Sequence, residues 1–257
     1  MIFILLPAYN EEASLPLLLP KLKQVLDEYE PYKVIVCNDG STDSTPELLK
    51  DFSKEMPLEV INHKMNRGLG ETCRDLFERA AEISNMDDII IRLDCDNTHE
   101  PEILINIVQK LREGYDVVVA SRFADGGGQL GVTRYRATIS FLANIFMKVF
   151  FPIPGLREYS CGFRGYTAAI VKKSIDVFGN DLIQLKGLGF TCTLEKLIKM
   201  ALLGAKVTEV PFILRYDQKL SSSKMVSSIT TLGYFVMVIL YNWPWGGWKS
   251  AVKNKSL

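Results

Sequence analysis

No Cys-x-x-Cys pair occurs in this 257-residue chain, and its five cysteines, Cys37, Cys73, Cys95, Cys161 and Cys192, are scattered. Such usage excludes a disulfide scaffold and reads as reduced, mostly buried thiols of a cytosolic compartment. Net charge is also missing, since 30 basic residues balance 30 acidic ones. That balance excludes a general nucleic-acid binder. The Gly-x-Gly-x-x-Gly that follows the first strand of a dinucleotide-binding fold is absent. Pro7-Ala8-Tyr9-Asn10 stands in its place, so a dehydrogenase reading fails. There is no internal repeat and no low-complexity linker. Ile2–Leu6 is too short for a signal-peptide core, lacks a basic flank, and reads as a first strand. No apolar run reaches the roughly 20 residues that a spanning helix needs.

What is present is an ordinary globular composition, 47% hydrophobic and 23% charged, with length enough for one substantial core and an appendage. The neutral total hides an asymmetry. Residues 1–60 hold eleven acids and five bases, whereas residues 126–175 hold seven bases and one acid, Glu158. The basic segment also carries apolar stretches, which points to an anionic, partly greasy partner. Through the first 121 residues, short apolar runs alternate with helical patterns. Ile2–Leu6, Lys33–Cys37, Leu58–Ile61, Ile89–Leu93 and Val117–Ala120 read as strands. Glu12–Asp27, Thr45–Lys54, Gly70–Ser84 and Pro101–Arg112 read as helices. This alternation predicts an α/β fold, Rossmann-like, with a mostly parallel sheet and helices on both faces. Later the pattern loosens into a mobile glycine loop at Asp125–Gln129, a helix from Tyr135 to Phe151 and a strand near Gly162–Tyr166. A helix near Thr191–Leu203, a strand near Lys206–Pro211 and a polar closing loop at Tyr216–Lys224 complete it.

Ligands of such sheets bind beyond the carboxyl ends of the strands. Four polar loops collect there: Pro7 to Glu12, Asn38 to Asp43, Asn66 to Gly70 and Asp94 to His99. In the last, two carboxylates stand two residues apart after a buried strand. They make a compact oxygen site that magnesium or manganese accepts when substrate phosphates supply further ligands. Many surface turns also contain Asp-x-Asp, so the order of the preceding loops carries the weight. Asp96 is the candidate for direct ligation, and Asp94 for the metal or a ribose. His99 reads as a further ligand or as a capping residue ahead of Glu100-Pro101. Asp39 can accept N–H groups of a base framed by Pro7 and Tyr9, with Glu11 reaching ribose hydroxyls; the same residues suit a plain turn and N-cap. Gly68 and Gly70 would let backbone approach a pyrophosphate at a helix N-terminus, or simply open a helix. His63 shows no partner and reads as structural or exposed. Arg122, Arg134, Arg136, Arg164 and Arg215 fall near loop or helix ends, where guanidinium groups can hold phosphate. Each alone suits a solvated surface equally well.

In order and spacing, Pro7-Ala8-Tyr9-Asn10-Glu11, Asn38-Asp39-Gly40-Ser41-Thr42-Asp43, Asn66-x-Gly68 and Asp94-x-Asp96 resemble family 2 glycosyltransferases of the GT-A fold. Farther on, Ser121-Arg122-Phe123, Cys161-Gly162-Phe163-Arg164, Glu209-Val210-Pro211-Phe212, Arg215 and Ser223-Lys224 resemble the dolichyl- or polyprenyl-phosphate mannosyltransferase branch. Thr98 departs from that pattern where some relatives place a metal-binding glutamine. The resemblance implies an inverting enzyme, dependent on magnesium or manganese. It would move a hexose, mannose or glucose, from a nucleotide-diphosphate sugar to a polyprenyl or dolichyl phosphate. It places Asp94 and Asp96 on the metal, and Pro7, Tyr9, Glu11, Asp39 and Gly68 on the nucleotide. Arg122 with Arg134 or Arg136 would hold the acceptor phosphate, and Arg215 and Lys224 the donor phosphates. A rival expectation is a hydroxyl acceptor in surface-polysaccharide or glycolipid assembly, which needs a general base; Glu195 is the candidate. A nucleotide-sugar-binding subunit without turnover is another, against which Asp94, Asp96 and Arg122 speak.

A lipid acceptor requires a membrane surface. Met225 to Trp248 carries no charge, but Ser227, Ser228, Thr230 and Thr231 dilute its start. Trp243, Trp245 and Trp248 suit the headgroup zone, and Lys224, Lys249, Lys253 and Lys255 flank the stretch. The expectation is an interfacial helix and peripheral association at the cytoplasmic face, with a core helix as the alternative. Thr138–Phe151 is a second element suited to membrane contact or core packing. The expected division is a catalytic domain over residues 1–224 and a membrane-associating segment over 225–257.

Overall fold

The computed structural model describes residues 1–220 and 227–243; Lys224, Trp245, Trp248 and the C-terminal lysines lie outside them. Uninterrupted apolar runs become strands that are covered on both faces, as a parallel sheet requires. The strands are β1 (Ile2–Ala8), β2 (Tyr32–Asn38), β3 (Leu58–Asn62), β4 (Ile89–Arg92), β5 (Val117–Ser121), β6 (Gly128–Leu130), β7 (Arg164–Thr167), β8 (Val207–Pro211) and β9 (Ile213–Arg215). Seven of them form one sheet in the order β3-β2-β1-β4-β7-β5-β8. β7 runs antiparallel to both β4 and β5, and the other neighbours pair in parallel.

The helices are α1 (Leu15–Asp27), α2 (Thr45–Phe52), α3 (Leu69–Ile83), α4 (Ile103–Arg112), α5 (Arg134–Phe150), α6 (Ala168–Phe178), α7 (Thr191–Leu202) and α8 (Ser227–Asn242). The period-two alternation of β1 divides the core. Ile2, Ile4 and Leu6 face the leucines of α1 and α4, while Phe3 and Leu5 face α3, α7 and Met147 of α5. Helix α1 starts at Leu15, later than the sequence pattern suggests, because Glu11 and Glu12 are tied to the neighbouring loop. Glu11 N donates to Thr45 Oγ1 at 2.8 Å and Glu12 N to Asp43 Oδ2 at 3.1 Å.

The second half adds elements that the sequence pattern did not mark. The glycine loop at 125–129 feeds β6, which pairs in parallel with β9. Helix α6 was not read from the sequence, although Thr167 caps its start, accepting from Ile170 N at 3.3 Å, and Gly179 ends it. Helix α8 packs by Met237 and Tyr241 into the core beside α5 and α7. Tyr241 donates its hydroxyl proton to Glu195 Oε1 at 2.9 Å, and Lys199 meets the same oxygen at 2.8 Å. Glu195 is fully buried there, with Oε2 accepting from Leu185 N at 2.9 Å. It stands under the sheet as a structural anchor of α7 and α8, and not as a base.

Gly40 is a tight point of the strand-end architecture. Its φ is +70°, and a Cβ there would lie 2.5 Å from the carbonyl carbon of Met65. An alanine meets both the left-handed strain and a backbone clash. Gly40→Ala should lower unfolding stability by about 2 kcal/mol, seen as a lower urea midpoint with an unchanged m-value.

Candidate active site

Strand order reverses at β1, with β2 on one side and β4 on the other, so the loops after β1 and β4 part and leave a crevice. The loops after β1 and β2 are laced together. Asn10 N donates to Ser41 Oγ at 3.0 Å, Thr42 N to Asn10 Oδ1 at 2.9 Å and Ser44 N to Glu12 Oε2 at 3.0 Å. Asn10 takes a positive φ of 51° to do so. Pro7 and Tyr9 are half-buried on this wall, and Glu11 is buried beneath it.

Asp39 lies buried at the foot of the wall. Its Oδ1 accepts from Arg67 N at 2.8 Å and contacts His63 Nδ1 at 2.6 Å, and its Oδ2 accepts from Gly68 N at 2.9 Å. His63, expected to lack a partner, is buried between two carboxylates, with Nε2 2.8 Å from Asp75 Oδ2. The Gly68 N–H is thus turned inward onto Asp39. Gly70 is a packing glycine, since a Cβ there would meet Lys186 Cα at 2.5 Å.

The Asp-x-Asp loop emerges from β4. Arg92, buried in that strand, reaches Asp94 Oδ1 with NH2 at 2.5 Å. Asp96 Oδ1 accepts from Thr98 Oγ1 at 2.6 Å and Thr98 N at 3.2 Å, while Oδ2 is paired with the ammonium of Lys219. Burial works against ionising Asp96, but Lys219, the Thr98 hydrogen bonds and, once protonated, His99 outweigh it and hold the carboxyl below its ordinary range. His99 is buried, stacked on Phe163 with centroids 5.1 Å apart, and its Nδ1 accepts from Asp94 N at 3.1 Å. Burial pushes its imidazole below the ordinary value, so the ring braces the loop as a neutral acceptor. Among the described residues no cluster of three or more His, Cys, Asp or Glu could hold a metal. Asp94 and Asp96 remain as a two-carboxylate donor set, and Lys219 stands on one of them as a cation already in place.

The arginines divide sharply. Arg122, at the end of β5, grips Glu158 in bidentate fashion at 2.7 and 2.9 Å and also donates to Ser140 Oγ at 3.1 Å and Ser160 Oγ at 2.8 Å. Arg136 donates to the Tyr216 hydroxyl at 2.5 Å from the first turn of α5, where Thr133 caps the helix and Arg134 is exposed. Ser140 follows Arg136 by one turn on the same face, which brings Arg122 and Arg136 into one neighbourhood. Arg215 is spent on Glu100 at 3.0 Å and on Asp217 at 2.9 Å. Arg164 does not join the set: it is fully buried and donates to the carbonyls of Thr193 and Tyr159 at 2.6 and 2.7 Å. The turn from Arg215 to Lys219 ties the two ends of the crevice. Its Arg215 N donates to Thr98 O at 3.0 Å, and its Tyr216 meets Arg136.

His63, Glu158, Ser140, Tyr216 and Lys219 were not singled out, although Tyr216 and Lys219 fall in the expected closing loop. His63 carried one signal, its place immediately after β3; the others meet their partners only through long-range packing.

A family model described as "Glycosyl transferase family 2" matches residues 3–176. An undecaprenyl-phosphate mannosyltransferase of Micrococcus luteus is 29% identical over 229 residues, 89% of this chain and 88% of that one. A dolichol-phosphate mannosyltransferase of Pyrococcus furiosus is 28% identical over 81% of this chain, which spans only 55% of that longer protein. Among solved structures, glucosyl-3-phosphoglycerate synthase from Mycobacterium tuberculosis, held with Mn2+, uridine diphosphate and glucosyl-3-phosphoglycerate, superposes with a TM-score of 0.62. It covers 93% of this chain and 78% of that one at 18% identity, a likeness of fold.

Glu158 is fully buried, which alone would raise its carboxyl, but Arg122 and Ser160 hold it below the ordinary value of 4.5. Its stabilising share is therefore complete above that ordinary value and is lost as pH falls through the lower folded value. Glu158→Gln should cost about 3 kcal/mol at neutral pH by leaving Arg122 buried without its counter-charge. In denaturant melts at stepped pH, its stability should also fall less steeply below the ordinary glutamate range than that of the parent protein.

Proposed function

The chain belongs to glycosyltransferase family 2, and on that premise we propose that it transfers a hexose from a nucleotide-diphosphate sugar to a polyprenyl or dolichyl phosphate. Mannose or glucose is the sugar that this reading favours, and the transfer inverts the anomeric centre. One observation carries it. The Arg215–Lys219 turn joins the Asp94/Asp96 carboxylates to the Arg122–Arg136 cluster, so a site for a diphosphate and a site for a second phosphate open onto one crevice.

Pro7, Tyr9, Glu11 and Asp39 form the wall against which the nucleoside would lie, braced by His63 and the Gly68 N–H. Asp94 and Asp96 would hold magnesium or manganese, which when bound offsets charge gathering on the departing diphosphate. Two hard carboxylate oxygens fit such an ion when the diphosphate supplies further ligands. Arg122 and Arg136, with the positive end of the α5 dipole and the exposed Arg134, would seat the acceptor phosphate. That phosphate is anionic at neutral pH, so its oxygen attacks without a base. The burial of Glu195 in the α7–α8 anchor supports this choice over a hydroxyl acceptor. Arg215, and Lys224 from outside the described residues, are the proposed contacts to the donor phosphates.

The apolar skin of α5 and α8 supports a lipid-bearing acceptor. Phe141, Leu142, Ile145 and Val149 of α5 are exposed beside Leu232, Phe235 and Ile239 of α8, and Phe146 meets Phe235 with centroids 5.1 Å apart. No described helix is long and apolar enough to cross a membrane. The surface suits the headgroup boundary, with Trp243 at its margin, and peripheral attachment at the cytoplasmic face is part of the proposal.

The test offers the protein a panel of nucleotide sugars with Mn2+ or Mg2+, with and without a short polyprenyl phosphate. Release of nucleoside diphosphate that requires the lipid, with a matching lipid-linked sugar, is expected; release only with a hydroxyl acceptor would sink the reading. Asp96→Ala should lower turnover by at least about 100-fold. Arg136→Ala should raise the KM for the lipid phosphate and leave that for the donor unchanged.

A further inference from the structure

Asp96 is already neutralised from within the chain. Its Oδ1 is held by Thr98, and its Oδ2 is paired with Lys219, in a contact where the two side chains are only 17% and 11% exposed. The lysine is delivered there by a built turn. Arg215 N is bonded to Thr98 O at 3.0 Å, Arg215 NH1 to Glu100 at 3.0 Å, and Lys219 N to Tyr216 O at 3.3 Å. The backbone of Asp217 sits so close to Gly131 that a Cβ there would lie 2.5 Å from Asp217 N. The Lys219 ammonium lies 5.8 Å from the centre of the Tyr216 ring, and the Arg136 guanidinium lies 5.3 Å from it.

Resting on the reading of Asp96 as a metal ligand, we propose that Lys219 is the resident cation of the donor-free enzyme. It occupies the place on Asp96 that a divalent ion takes, so that metal and nucleoside diphosphate load as a unit. In the donor-free site, two carboxylates face two cations, Asp94 with Arg92 and Asp96 with Lys219. A bare divalent ion entering on Oδ2 must expel the ammonium from a partly desolvated contact and leave it unpaired beside a like charge. A diphosphate arriving with the ion supplies the negative charge that both cations lack, and the released lysine has a phosphate to turn to. The two ligands are then positively coupled through one side chain, and that coupling is reciprocal. Lys219 is a positioning residue in this scheme and makes no covalent step.

The experiment follows Mn2+ binding by the paramagnetic resonance signal of the free ion, with and without UDP or GDP. It compares the parent protein with Lys219→Met, Lys219→Arg and Asp96→Asn, each checked for folding by circular dichroism. The parent should bind Mn2+ weakly alone and roughly tenfold or more tightly with whichever diphosphate it accepts. Lys219→Met should raise nucleotide-free Mn2+ affinity by roughly tenfold and shrink the coupling. Lys219→Arg, which keeps the charge, should behave like the parent. No gain in Lys219→Met, or an equal gain in Lys219→Arg, overturns the proposal. If Asp96→Asn abolishes Mn2+ binding while Lys219→Met gains nothing, the metal site stands and the lysine assignment alone falls. If Asp96→Asn binds Mn2+ as the parent does, the reading of Asp96 falls and the proposal falls with it.

Discussion

Strand β1 is hydrogen-bonded in parallel to β2 on one side and to β4 on the other, and everything at the crevice depends on that pairing. Parallel strands bring their carboxyl ends to one edge, and the reversal of order at β1 separates the loops that leave it. The register places Ala8 beside Asn38 and Leu5 beside Arg92. Asp39 and Asp94 therefore leave the sheet on either side of the Pro7–Glu12 loop. The antiparallel β7 inserts between β4 and β5, and the chain just ahead of it carries Glu158, which receives Arg122 from the end of β5.

The charged groups at this edge are matched before any ligand arrives. Asp39 is paired with His63, Asp94 with Arg92, Asp96 with Lys219, Arg122 with Glu158, and Arg215 with Glu100. Burying so many charges is tolerable only because each has a counter-charge or a set of hydrogen bonds. These pairs differ in what a ligand can do to them. Glu158 is sealed in the protein and holds Arg122 in orientation, whereas Lys219 comes from a turn and meets Asp96 where the crevice opens. Positions of the first kind preorganise the site, and those of the second can exchange partners.

Much of this was legible in the sequence. Apart from β3, a half-buried edge strand, the strands of the first half are runs of Ile, Val and Leu too long and too uniform to be half-exposed, and the caps and glycines between them mark the loops. The Asp-x-Asp pair was identifiable because a buried strand delivers it. The second half was less readable for physical reasons. A strand was read near Gly162–Tyr166, but not its antiparallel place between β4 and β5, because nothing in Arg164-Gly165-Tyr166-Thr167 names its neighbours. The basic segment gave a sum of charge but no partners. Arg164 is consumed by backbone carbonyls, while Arg122 is held by Glu158 and Arg136 by Tyr216. His63 looked idle because both of its partners are remote in sequence, Asp39 by 24 residues and Asp75 by 12. The tail read as a membrane-facing or a core helix, and α8 presents both a packed face and an exposed one.

By itself the sequence determined the α/β class, the edge at which the polar loops collect and the family to which the chain belongs. Those follow from local periodicity and from short motifs whose members are close along the chain. The tertiary structure alone decided which charge meets which: that Glu195 is an internal anchor, that Glu158 receives Arg122, and that Lys219 stands on Asp96. Such pairings join residues as far apart as 123 positions. A charge is selected by what surrounds it after folding, and no spacing along the chain records that.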